Sequence, residues 1–230
     1  MTVVSPDLRN EQAAPPSPPW SARLSPARAL GLPLAFTLGL ASFGLLDSVR
    51  ENPRVLWSFL GAAAVLLAWS AVLLGSALRK GRTLTLEIVL RKQHWVQACT
   101  HTLIFLYWGW YWQPVYDWAH LIVAQLVLAY AFDMLLGWSR RDTYTLGFGP
   151  FPIIFSTNLF LWFRPDWFYL QFLMVAGAFA AKELIRWNKE GRFVHIFNPS
   201  SFSLTVFSLA LILTGTSDIT WGKEIAITQF

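Results

Sequence analysis

Long apolar runs alternate with short polar connections along this chain, and the runs have the length of helices that cross a membrane. Val55–Leu78 carries no charged residue, and at ~1.5 Å per residue it exceeds the ~30 Å of a hydrocarbon layer. Ala29–Leu46, of about 18 residues, is just long enough. Trp95–Trp112 and Trp118–Trp138 give a third and a fourth span, joined by Gln113-Pro114-Val115-Tyr116-Asp117, where the proline ends one helix. Trp167–Trp187 and Pro199–Thr214 supply a sixth and a seventh.

The segment between the fourth and sixth runs, Gly147–Phe163, is apolar but short and broken by Gly147, Gly149, Pro150 and Pro152. It either crosses or re-enters. A re-entrant loop would leave the basic connection Lys182–Arg192 outside, whereas a crossing brings 14 of the 18 Lys and Arg residues to one side and leaves only Arg50, Arg54, Arg164 and Lys223 opposite. Basic loops favour the cytoplasmic side, so a crossing is expected. The pattern therefore predicts an all-α polytopic transmembrane helix bundle of about seven membrane segments, one of them Gly/Pro-broken, with a cytoplasmic N-terminus. Residues 1–26, rich in proline, are expected to be a disordered cytoplasmic tail, and 27–230 a transmembrane domain. Thr83–Leu90 alternates like a strand, yet its place between two spans favours an interfacial segment over a sheet. Gln229-Phe230 looks like the start of a further segment, as in a longer domain or one that a partner completes.

Composition agrees with this reading. Hydrophobic residues make up 55% and charged residues 13%, too apolar a balance for a soluble domain of this size. The net charge of +5 lies in connections between apolar runs, where it acts as a topology signal. The expected partner is thus the lipid bilayer and not nucleic acid, and the expected location is the cell (inner) membrane, multi-pass. Cys99 stands alone, which excludes an intramolecular disulfide and an all-cysteine iron–sulfur site. Many of the 13 tryptophans end an apolar run, as headgroup-level belts do.

Candidate chemistry gathers where a basic loop enters the last apolar run, at Gly191–Phe202. Asn198 suits an N-cap and Pro199 the first helical position, while Ser200 and Ser201 offer hydroxyls and N–H groups at the positive end of the helix dipole. With Arg192 and His195 just before them, these residues suit a phosphate or another anion. The same residues also make a well-capped membrane helix that needs no ligand. Asp133 is the clearest intramembrane carboxylate, readable as part of an ion path or as the partner of Arg140 or Arg141. Lys182 and Glu183 end the sixth run, and Arg186 lies at i+3 from Glu183, so internal pairing is the simpler account. His101 and His120 differ in depth by roughly 15 Å and cannot share an iron, and His94 and His101 lie on one helix, so haem is not expected. There is no nucleotide-binding loop and no soluble-type catalytic motif, so no catalytic residue is assigned.

Ala181-Lys182-Glu183-Leu184, followed after a short polar loop by His195-Ile196-Phe197-Asn198-Pro199-Ser200-Ser201-Phe202, resembles the membrane-subunit family of RnfD and NqrB. These are subunits of ion-pumping ferredoxin:NAD and NADH:quinone oxidoreductases, and the resemblance extends to the UnbU-type enediyne biosynthesis proteins; it covers roughly residues 80–222. It implies a redox subunit that holds a flavin (FMN or riboflavin) between helices, moves electrons together with ions, and works with other membrane or peripheral redox subunits. It also implies that Lys182, Glu183, Asn198, Pro199, Ser200 and Ser201 lie near the flavin or quinone. Relatives with covalent FMN carry a Ser-Gly-Ala-Thr motif after the Asn-Pro; here the nearest text is Thr214-Gly215-Thr216-Ser217. A flavin would then be non-covalent within this chain. Two alternatives stay open: a flavin-free scaffold or partner-binding subunit of the same fold, and a transporter-like protein for a small lipophilic product.

Overall fold

Asn52 shows how the sequence starts the longest helix. Its side-chain oxygen accepts from the N–H groups of Arg54 and Val55 at 3.0 and 3.3 Å, Pro53 takes the first helical position, and Gly81, at φ 60°, closes the far end. The computed structural model describes residues 20–189 and 192–228, with the backbone alone described at 189 and 192–194.

In chain order the elements are β1 (Trp20–Leu24), α1 (Pro26–Ser42), α2 (Asp47–Arg50), α3 (Pro53–Lys80), β2 (Leu84–Ile88), α4 (Lys92–Tyr111), α5 (Pro114–Asp117) and α6 (Ala119–Arg141), then β3 (Thr143–Leu146), α7 (Pro150–Asn158), α8 (Phe168–Leu184), β4 (Arg186–Lys189), β5 (Arg192–His195), α9 (Pro199–Thr214) and α10 (Gly222–Thr228). The chain is mostly helical, and three helical stretches are long and apolar enough to cross a membrane: Pro26–Leu45, Pro53–Lys80 and Ala119–Arg141. α8 and α9, of 17 and 16 residues, are shorter, and α4 is diluted by a polar face. α6 forms the axis: 72% of its most apolar window is buried, against 28% and 33% for the other two. α1, α3, α7 and α8 pack around it. Large apolar side chains such as Val65, Val72, Ile212 and Leu213 face outward, as lipid-facing positions do.

One end of the bundle is closed by a three-stranded sheet in which β1 runs antiparallel and β3 parallel to β2. This corrects two expectations. The alternation at Thr83–Leu90 does build a strand, because Leu84 and Leu86 turn inward to cover the ends of the helices. Trp20–Leu24, assigned to the tail, supplies the neighbouring strand; residues 1–19 lie outside the described residues. The fold is therefore not purely α. Tyr144 of β3 donates its hydroxyl to the Ala29 carbonyl at 2.9 Å, and burial pushes its phenol up to about 12, which keeps the donor protonated. Gly147 lies so near the Val89 carbonyl that a Cβ there would come within 2.2 Å of the oxygen.

The broken segment is half helix and half extended chain. α7 starts beside the sheet and runs nine residues, ~14 Å. Leu159–Arg164 then continues to the opposite end, where the Arg164 N–H donates to Ile219 O at 2.9 Å and Asn52 Nδ2 to Asp166 Oδ1 at 2.8 Å. Non-helical backbone in a bundle survives only inside protein. Leu161, Trp162 and Phe163 are accordingly at most 6% exposed. A buried amide cluster holds this passage. Asn158 Nδ2 donates to Gln125 Oε1 and to Ile154 O (2.8 Å each), Gln171 Nε2 donates to Gln125 Oε1 (3.0 Å), and Gln171 Oε1 accepts the Phe163 N–H (3.0 Å).

Candidate functional site

Four polar residues, one just before α4 and three on it, recur at near-helical spacing and so share a face. Arg91, His94, Gln97 and His101 look across a cavity of about 690 Å³ toward α7 and the start of α9. The opposite wall carries Lys182, His195, Asn198, Pro199, Ser200 and Ser201, so six of the predicted site residues meet in one place. A smaller cavity of about 270 Å³ adjoins it, lined by Glu87, Asp133, Arg141 and Arg186 among others, and Arg91, His94, Gly149 and Lys182 belong to both.

At the α9 start, Asn198 Oδ1 accepts from the Ser200 N–H at 3.1 Å and the Ser200 hydroxyl at 2.8 Å. The cap is thus closed internally. Ser200 is buried and turned onto the cap, whereas Ser201 is exposed on the cavity wall.

Asp133 pairs with Lys182 Nζ at 3.0 and 3.1 Å, and not with Arg140 or Arg141 as their nearness in sequence suggests. Helix geometry explains the difference, since Arg141 lies eight residues, ~12 Å, farther along α6. Arg141 instead reaches Glu183 of α8 at 3.1 Å, and Glu183, nearly buried, also takes Arg186 at 2.6 Å, the i+3 pair anticipated. Two interlocked pairs therefore tie α6 to α8. They spend the charge of Lys182 and turn Glu183 away from the larger cavity. Among the described residues, the Arg91 guanidinium has no ion pair or hydrogen bond, which leaves it the uncompensated cation where the two cavities meet. The backbone of Arg192 pairs with Lys189 in the β4–β5 hairpin; its side chain lies outside the described residues.

Three imidazoles line the cavity. His195, outside the helices, has its pKa held below the usual 6.5 by partial burial first, then by Lys182, Arg186 and Arg91. It is neutral at pH 7, a hydrogen-bonding group and not a cation. His101 and Phe155 meet in a T-shaped contact with ring centroids 6.1 Å apart, and the buried Nδ1 of His101 has no hydrogen-bond partner among the described residues. His120 sits at the opposite end of the bundle, 3.3 Å from the Ser48 hydroxyl. Among the described residues no three His, Cys, Asp or Glu side chains converge as a metal site.

Sequence patterning alone does not single out Arg91, Gln97 or the amide cluster at Gln125, Asn158 and Gln171, and it brings in His94 and His101 only as haem ligands. A usable signal exists: a polar stripe at i, i+3, i+6 and i+10 along a membrane-type helix marks a face turned to the bundle interior. The cavity thus offers the Arg91 guanidinium, the exposed Ser201 at the α9 start, the unsatisfied His101 nitrogen and the apolar surfaces of Phe160 and Phe197. No protein-family profile, curated protein or solved structure matches the chain.

Proposed function

We propose that this protein is a membrane subunit of a redox system, of the RnfD and NqrB type that its Lys182-Glu183 and Asn198-Pro199 text resembles, and that it holds FMN or riboflavin non-covalently in the cavity between α4, α7 and α9. The observation that carries the reading is the convergence of Arg91, His94, His101, Lys182, His195 and Ser201 on one cavity with a cation left unpaired. Arg91 and the exposed Ser201 at the α9 start are the groups to hold a phosphate. His94, Gln97 and His101 offer hydrogen bonds to a ring system. Bound there, a flavin supplies one- and two-electron chemistry, while the chain orients it and sets its electrostatic surroundings. Asp133, tied to Lys182 between the cavities, is the group to couple ion movement to that chemistry. In this reading the bundle crosses the inner membrane about seven times, counting α7 with its extended half, with the sheet end in the cytoplasm beside the basic connections. Its partners are other membrane or peripheral redox subunits.

A second reading has one observation in its favour: Asn198 and Lys182 are already satisfied inside the chain, as they would be in a flavin-free scaffold of the same fold. A visible spectrum of the purified protein separates the two. Flavin bands that disappear from the protein on denaturation and gel filtration support the first reading, as does FMN uptake that Arg91→Gln weakens about fivefold or more. A colourless protein that takes up no FMN removes it.

A further inference from the structure

At the end of the bundle away from the sheet, a separate cavity of about 510 Å³ is lined by Arg54, Trp57, Ser58, Asp166, Trp167 and Tyr169. Trp57, Ser58 and Tyr169 also line an apolar groove of about 360 Å³ that descends between α3, α6 and α8, so the two spaces adjoin. The mouth holds one charge of each sign. The Arg54 guanidinium has no side-chain partner among the described residues, and Asp166 accepts from Asn52 at 2.8 Å without pairing to Arg54. Trp57, Trp167 and Tyr169 add ring faces that attract an ammonium group and suit headgroup depth.

The groove below is a trough because small residues floor it. A Cβ added at Gly61 would meet no heavy atom within 4 Å. From Trp57 to Val65 the trough descends ~12 Å along α3, close to the ~15 Å of one leaflet's hydrocarbon.

From this geometry we infer that the mouth and groove bind one zwitterionic phospholipid, its phosphate on Arg54, its amine between Asp166 and the aromatic rings, and one acyl chain in the trough. An anionic headgroup leaves Asp166 facing like charge, and a neutral quinone leaves both charges unmatched. The site is independent of the flavin reading, because it lies at the other end of the bundle.

Native mass spectrometry tests it. The full-length chain, purified in detergent, is offered equal amounts of phosphatidylethanolamine and phosphatidylglycerol. The expected result is a single phosphatidylethanolamine adduct favoured about fivefold, weakened by a similar factor in Arg54→Gln, with the preference lost in Asp166→Asn. Gly61→Leu, at a position where an added Cβ meets no heavy atom within 4 Å, puts a branched side chain into the trough and should abolish the adduct while the circular dichroism spectrum and elution volume stay unchanged. Arg50→Gln, outside the mouth, should leave it intact. Equal or better binding of phosphatidylglycerol, displacement of the lipid by an added quinone, or an adduct that survives Gly61→Leu overturns the proposal.

Discussion

Replacing Gln171 by leucine probes the least conventional part of the fold, the non-helical half of the α7 passage. Gln171 is fully buried, and leucine has a similar volume, so the packing change is small. The loss is polar. The Phe163 N–H, which donates to Gln171 Oε1 at 3.0 Å, would be stranded in a stretch with no helical carbonyl to turn to. An unsatisfied buried donor costs about 1–3 kcal/mol. The bond from Gln171 Nε2 to Gln125 Oε1, 3.0 Å, goes as well, and an interhelical bond of this kind in a membrane protein is worth ~0.6 kcal/mol. The expected destabilisation is roughly 1.5–3.5 kcal/mol. Gln125→Leu should cost less, about 1–2 kcal/mol, because Asn158 keeps its bond to Ile154 O and Gln171 keeps the Phe163 amide. Reversible unfolding in mixed micelles, followed by tryptophan fluorescence, measures both. If Gln171→Leu proves no more costly than Gln113→Leu, at an exposed turn position, the buried cluster does not hold the extended chain and the argument fails.

Three further outcomes follow from the same geometry. Asp133→Asn leaves Lys182 partly buried without its counter-ion and should cost about 1–3 kcal/mol; adding Lys182→Met should recover part of that loss in a double-mutant cycle, and strictly additive losses would show that the pair is not coupled. Gly147→Ala drives a Cβ to 2.2 Å from the Val89 carbonyl, so β2 and β3 should separate locally, read as faster amide hydrogen exchange over 84–88; exchange like the wild type would contradict the close approach. His195 binds its proton less readily in the folded chain than its ordinary pKa of 6.5 allows. Its contribution to stability is therefore fully present above about 6.5 and is lost as pH falls through the lowered value, and His195→Gln should flatten that part of the acid limb. An imidazole titration for His195 above 6.5 would refute the burial and the cationic surroundings that lower it.

Local and periodic signals are legible in the residues alone. The uncharged run at 55–78, the Asn52-Pro53 and Asn198-Pro199 starts and the Gly81 and Gly215 stops are decided within a turn or two of chain, so the residues themselves determine where those helices begin and end. The mostly helical, membrane-type architecture follows from the same runs. Tertiary structure alone decided which side chains meet. Asp133 could choose among several cations by sequence, and the packing of α6 on α8 brought it Lys182. The alternation at 83–90 became a strand only because Trp20–Leu24 and Thr143–Leu146 were delivered to its two edges. The cavity likewise needed α4, α7 and α9, separated by tens of residues, to present their polar faces to one another. Periodicity tells a residue which way it faces along its own helix, whereas what it faces depends on distant chain that only folding brings near.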